Sequence, residues 1–128
     1  MDAETYLTSL EPIGWKLGLE RMELLSDELG RPQDRFESVH VVGTNGKSSV
    51  TRMTSALLTA HGRRSGCSVS PHLHRWSERV LIEGEEIGEE AFSAAVETVA
   101  AAAGRVNERL EGDEHVTQFE VATAASFL

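Results

Sequence analysis

The chain has 128 residues, enough for one compact domain with a modest core, and 21 acidic against 12 basic side chains give it a formal charge of −9. That balance argues against a nucleic-acid binder, whose affinity rests on Lys and Arg neutralising phosphates, so any phosphate bound here needs a local device. A single cysteine, Cys67, cannot build an intramolecular disulfide framework, which favours a reducing compartment and a cytoplasmic location. The acidic start MDAETYLTSL is unlike a signal peptide, and no run approaches the ~18 apolar residues that a membrane span needs.

In chain order, Asp2 to Leu10 is predicted to form one or two helical turns. Leu17 to Leu29 places Leu17, Leu19, Met22, Leu24, Leu25 and Leu29 near one helical face and stops at Gly30, with Pro32 just beyond. Ser38 to Gly43 reads SVHVVG, rich in β-branched residues and ending in glycine, as a buried strand does; His40 then reads as a core or flank residue. Ser48 to His61 is helical by composition and closed by Gly62, and Gly66 to Ser70 is a second candidate strand. A strand, helix, strand unit of this kind implies a right-handed connection and a mostly parallel sheet in a three-layer α/β sandwich. Arg79 to Ile82 is predicted to be a short strand turning at Gly84, followed by a helix from Glu89 to Leu110, whose small-residue run Ala94 to Ala103 is a helix face. A polar turn, Glu111 to Glu114, precedes helical sequence from Thr117. There the apolar pattern of Phe119, Val121, Ala122, Ala125, Phe127 and Leu128 reaches the last residue without a C-terminal cap, so the domain is expected to be incomplete on its C-terminal side.

The strongest chemical signal is GTNGKSS, Gly43 to Ser49, between a predicted strand and a predicted helix. Glycines let backbone N–H groups converge on phosphates, the following helix offers its positive end, and Lys47 adds a mobile charge. Ser48 or Ser49 would place a hydroxyl near a phosphate or magnesium. The eight-residue pattern GxxxxGK[ST] is not met, because Val41 stands five residues before Gly46; the match is to a shortened loop. An ordinary strand-to-helix turn with a solvated Lys47 is the alternative.

GTNGKSS is similar to the phosphate loop of the Mur ligase superfamily. From Ser70, SPHLHRWSERVLIEGEEI resembles the SPHL, ER, G and I pattern of folylpolyglutamate synthases and dihydrofolate synthases. LGLERMELLSDELGRP, Leu17 to Pro32, and TQFEVATAASF, Thr117 to Phe127, resemble two further segments of that family, in the same order. Val69 departs from the threonine that often precedes the SPHL serine.

The resemblance implies that residues 1–128 are the N-terminal part of an ATP-binding domain. A glutamate-binding domain and the remaining catalytic residues would then lie beyond Leu128. It implies an ATP- and Mg2+-dependent ligase joining L-glutamate to a folate or dihydropteroate carboxylate. Carried over by position, Gly43, Thr44, Asn45, Gly46, Lys47, Ser48 and Ser49 would hold the triphosphate, with Lys47 serving the transfer itself. Ser70 and Glu120 would help bind magnesium, and His72 and Arg79 would lie toward the acceptor acid.

Each assignment has a plainer counterpart. Ser70 before Pro71 fits the end of a strand, and Thr117 with Glu120 fits a helix capping box. His72 and His74 lack zinc-like partners. Arg79 beside Glu78 fits solvated surface, and Trp76 fits either an exposed cover for a flat ring or packing against a helix. Competing classes are another Mur-type amide ligase, a small P-loop kinase and a non-catalytic nucleotide-binding module. A fragment with an unpaired sheet edge is also expected to self-associate.

Overall fold

The computed structural model describes all 128 residues, which divide into two compact units: Met1–Glu37 with Glu90–Leu128, and Ser38–Glu89. Both helix and sheet are present, as an α/β fold requires. No helix is long and apolar enough to cross a membrane.

The first unit is helical. Helix α1 (Ala3–Ser9) starts where the Asp2 carboxylate accepts the Thr5 N–H, a side-chain cap that satisfies one of the free donors of the first turn. Helix α2 (Glu20–Glu28) begins three residues later than the leucine pattern suggests. Gly18 at φ +113° breaks the helical path, and Leu17 and Leu19 are left 96% and 72% exposed, so the apolar face of α2 rests on the fully buried Leu25.

Helix α4 (Glu89–Asn107) is longer and buries Phe92, Val96, Val99, Ala102, Ala103 and Val106, a stripe at three- and four-residue steps. Its alanine run is helical, as expected, and of its alanines only Ala102 and Ala103 join the buried face. Glu28, in the last turn of α2, accepts from Arg105 at 2.5 Å and from Arg109. Helix α5 (Gln118–Ala125) opens with a capping box: Thr117 Oγ1 accepts the Glu120 N–H while the Glu120 carboxylate accepts the Thr117 N–H. Both α1 and α2 pack against α5.

The second unit holds helix α3 (Lys47–Ala60) and strands β1 (Gly66–Ser68), β2 (Val80–Ile82) and β3 (Glu85–Glu86). Contrary to the parallel arrangement expected, these strands form an antiparallel meander, with Gly66 opposite Ile82, Cys67 opposite Leu81, Ser68 opposite Val80, and Leu81 opposite Glu86. A strand exists through its ladder, and Ser38 to Gly43 has none in this chain. Val39 and Val42 are 69% and 76% exposed, and His40 is exposed rather than in the core.

Between β2 and β3 the chain reverses through Glu83 and Gly84, both at positive φ (51° and 89°), which is the backbone of a two-residue hairpin whose turn matches the strand twist. Helix α3 packs on β1. Beside that contact the buried Ser65 hydroxyl meets Ser55 Oγ at 2.8 Å and Thr59 Oγ1 at 3.0 Å, so the polar groups under the helix are satisfied.

Candidate functional site

The GTNGKSS segment is an exposed turn running directly into α3. Gly43 at φ +146° and Gly46 at φ +75° hold conformations that side-chain-bearing residues rarely adopt, and a Cβ at either would meet nothing within 4 Å. Glycine is needed here for backbone shape, and the loop faces open space. Gly46 is the N-cap of α3 but supplies no side-chain acceptor, and no acidic residue lies in the first turn. The leading N–H groups and the positive end of the helix macrodipole are therefore uncompensated by side chains, an arrangement suited to an anion. Lys47 Nζ folds back to the Thr44 carbonyl at 3.4 Å, a long contact that leaves the exposed ammonium free to swing.

The SPHL segment meets this turn. Ser48 Oγ donates to the Ser70 carbonyl at 3.1 Å; Ser70 is exposed, and the Ser70–Pro71 peptide bond is cis. Three successive backbone N–H groups, of Leu73, His74 and Arg75, donate to the Glu78 carboxylate at 2.7, 2.9 and 2.9 Å. These bonds hold the Glu78 carboxyl below its ordinary pKa, the Leu73 N–H most strongly.

Glu78 and Arg79 are thus not a solvated pair. Arg79 turns the other way, its Nε donating to His72 Nδ1 at 2.8 Å and its guanidinium lying 4.0 Å from the Trp76 ring centroid. His72 and Trp76 are also in ring contact, at 4.7 Å between centroids. Trp76 is only 8% exposed, so it is no exposed cover for a flat ring; it is the floor on which His72 and Arg79 lie. Partial burial lowers the Arg79 pKa, and a half-buried guanidinium with no carboxylate partner in the protein favours an anionic ligand.

In the first unit, Glu120 is 6% exposed. Its Oε2 accepts from Thr117 N at 2.8 Å and Thr117 Oγ1 at 3.0 Å, and the Arg21 Nε–H is shared between Oε1 at 3.2 Å and Oε2 at 3.3 Å. The capping role is therefore real. It leaves Oε1 with one long hydrogen bond and spare lone pairs.

Arg21 is equally buried, at 6% exposure, and also reaches Glu114 at 2.7 Å and the carbonyls of Lys16 and Leu17 at 2.9 and 3.4 Å. Burial works against its charge, but the hydrogen bonds and charges of Glu120 and Glu114 outweigh it, and its pKa is raised. The sequence alone assigns Arg21 no role. The available signal was its place four residues before Leu25 on the apolar side of α2, where an arginine must find buried partners.

The structure thus joins GTNGKSS to Ser70, groups His72 with Trp76 and Arg79, and places Glu120 with Arg21 in the other unit. Comparison with known proteins gives a consistent relationship. No family model matches the chain. It is 38% identical over 114 residues to the dihydrofolate synthase/folylpolyglutamate synthase of Mycobacterium tuberculosis, covering 85% of this chain and 23% of that protein. It is 32% identical over 127 residues to the Bacillus subtilis protein of the same name, covering 99% of this chain and 29% of that one. Among solved structures, Mycobacterium tuberculosis folylpolyglutamate synthase complexed with ADP superposes with a TM-score of 0.88 at 35% identity, over 98% of this chain and 28% of that chain. The chain therefore spans about a quarter of the length of the curated relatives it matches.

Proposed function

Because this chain belongs to the family of folylpolyglutamate and dihydrofolate synthases, we propose that it is the phosphate-holding N-terminal part of an ATP-dependent ligase that joins L-glutamate to a folate or dihydropteroate carboxylate. The single observation that carries this reading is the open GTNGKSS turn, with Gly43 and Gly46 at positive φ leading into the α3 N-terminus. The ADP complex of the Mycobacterium tuberculosis structure supports a nucleotide as its ligand.

A carboxylate oxygen is a poor leaving group, and transfer of the ATP γ-phosphoryl onto it gives an acyl phosphate and ADP. The glutamate amine then attacks the acyl carbon, and the C–O bond to phosphate breaks to leave the amide and inorganic phosphate. The protein's share is to position the partners and offset charge on the transferring group. Backbone N–H groups from Thr44 to Ser49 cradle the phosphates, and Lys47 swings from the Thr44 carbonyl to the terminal phosphate. Arg79, held flat on Trp76 by His72, presents its remaining N–H groups to a carboxylate of the acceptor acid.

Magnesium accepts hard oxygen donors and keeps several waters. Ser70, exposed in the second unit, and Oε1 of Glu120, in the first, each offers an oxygen of that kind, and magnesium would supply charge neutralisation on the phosphates. The site belongs in the cytoplasm, where ATP and glutamate are abundant, and no membrane or nucleic acid is required. Other Mur-type ligases would share GTNGKSS but not the Glu78-ordered SPHL loop, which favours a folate-type acceptor.

An isotope experiment tests the route. With both carboxylate oxygens of dihydropteroate labelled as 18O, the full-length gene product is expected to release inorganic phosphate carrying one 18O. Unlabelled phosphate would rule out the acyl phosphate.

A further inference from the structure

The LGLER segment contains a buried cation, Arg21, whose hydrogen bonds go to neither the phosphate turn nor the SPHL loop. Arg21 spends its guanidinium on four acceptors, all in the first unit: the Glu120 carboxylate, the Glu114 carboxylate, and the Lys16 and Leu17 carbonyls. Lys16 closes the ring, its ammonium meeting the Asp113 carbonyl at 3.0 Å and Glu114 Oε1 at 3.5 Å. Two cations and two carboxylates balance, so the cluster needs no outside counter-ion to be neutral.

The division of labour on Glu120 is unequal. Oε2 accepts the Thr117 N–H and hydroxyl as part of the α5 cap and also shares the Arg21 Nε–H at 3.3 Å, whereas Oε1 accepts only its own share of that N–H, at 3.2 Å. A carboxylate with one oxygen tied into a helix start and both oxygens bridged by a fixed guanidinium has a single orientation. We propose that Arg21 is a positioning residue, which fixes the Glu120 carboxylate so that Oε1 is the oxygen presented to a divalent cation while Oε2 is reserved for the helix cap.

This inference rests on the reading of Glu120 as a magnesium donor. The planar fork matters as well as the charge: Nε serves Glu120 only while Nη1 and Nη2 are anchored on Glu114 and the two carbonyls, a geometry that lysine cannot reproduce. Partners of this kind behind a metal ligand typically govern ~10- to 100-fold in metal affinity.

The test is Mn2+ binding, followed by electron paramagnetic resonance, to the full-length gene product saturated with the non-hydrolysable nucleotide AMPPCP. Arg21→Lys keeps the charge and loses the fork; Glu120→Gln removes the ligand itself. Both are expected to weaken Mn2+ by about tenfold or more, and the double variant is expected to be no weaker than Glu120→Gln alone, because Arg21 acts through Glu120. AMPPCP affinity without metal should be unchanged in all three.

Normal Mn2+ affinity in Glu120→Gln would overturn the donor reading and the inference with it. Weakened binding in Glu120→Gln with normal binding in Arg21→Lys would overturn the inference alone, as would additive losses in the double variant. Should Arg21→Lys fail to fold, Glu114→Gln, on the exposed side of the cluster, frees Nη1 without disturbing the buried pair. A smaller weakening of Mn2+ is then expected, and unchanged affinity would refute the proposal.

Discussion

Ser48 Oγ donates to the carbonyl oxygen of Ser70 at 3.1 Å, tying the first turn of α3 to the residue that opens the SPHL loop. The hydroxyl proton of Ser48 is thereby committed, whereas Ser49 is exposed beside it. If the full-length gene product is the ligase proposed, Ser48→Ala is expected to raise its KM for the acceptor acid by about fivefold, the equivalent of one lost hydrogen bond of ~1 kcal/mol, with little change in the KM for ATP. Steady-state kinetics with each substrate varied in turn distinguishes this from a general loss of activity.

The two glycines of the turn should differ in tolerance. Gly46 lies in the left-handed helical region, where a non-glycine residue costs ~1–2 kcal/mol, while Gly43 at φ +146° lies further from anything an L-residue adopts. Gly46→Asn should retain nucleotide binding within a few-fold, and Gly43→Ala should lose far more, although neither Cβ meets a neighbour. Calorimetric titration with AMPPCP measures both.

Acid should loosen the SPHL loop through Glu78. Its folded pKa is depressed from the ordinary 4.5, first by the Leu73 N–H and then, against burial, by those of Arg75 and His74. A depressed carboxyl contributes its full stabilisation above the unfolded value and loses it as pH falls through the folded one. Amide hydrogen exchange at Leu73, His74 and Arg75, corrected for intrinsic rates, should therefore show protection falling below pH 4.5. Glu78→Gln should lower protection at neutral pH and remove that pH dependence.

At the start of α5, Thr117→Ala removes a buried capping hydroxyl and is expected to destabilise by about 1 kcal/mol, with Thr117→Ser recovering most of it. Urea unfolding with an unchanged m-value would report this directly.

The apolar side of α3 bears on self-association. Val50, Met53 and Leu57 are 48%, 61% and 62% exposed and spaced three and four residues apart on one helical face. The chain by itself is expected to sediment as a concentration-dependent mixture, and Met53→Lys with Leu57→Lys should shift it to monomer.

Much of the local structure was legible in the sequence because its causes are local. Helix α3 follows its composition and the stop at Gly62, α4 its small-residue run, and the hairpin at Gly84 follows turn chemistry. Thr117 and Glu120 announce the α5 cap at their fixed spacing. What failed depends on partners distant in the chain. SVHVVG has the composition of a strand but finds no ladder, and β1 pairs with β2 because an antiparallel neighbour lies close in sequence. The leucines at 17 and 19 matched a helical period that Gly18 interrupts.

At the site, the GTNGKSS turn was visible from its glycines. Glu78 and Arg79 were adjacent letters whose opposite tasks only the folded loop separates. The Arg21–Glu120 bond spans 99 residues and has no signature in spacing at all.

This chain is expected to hold the ATP phosphates of a glutamate ligase. The most direct measurement is glutamate-dependent ATP hydrolysis by the full-length gene product, with dihydropteroate and tetrahydrofolate offered separately as acceptor. Turnover with at least one acceptor, reduced by about a hundredfold or more in Lys47→Ala, is the expected result. No turnover with either acceptor, or turnover indifferent to Lys47→Ala, would contradict it.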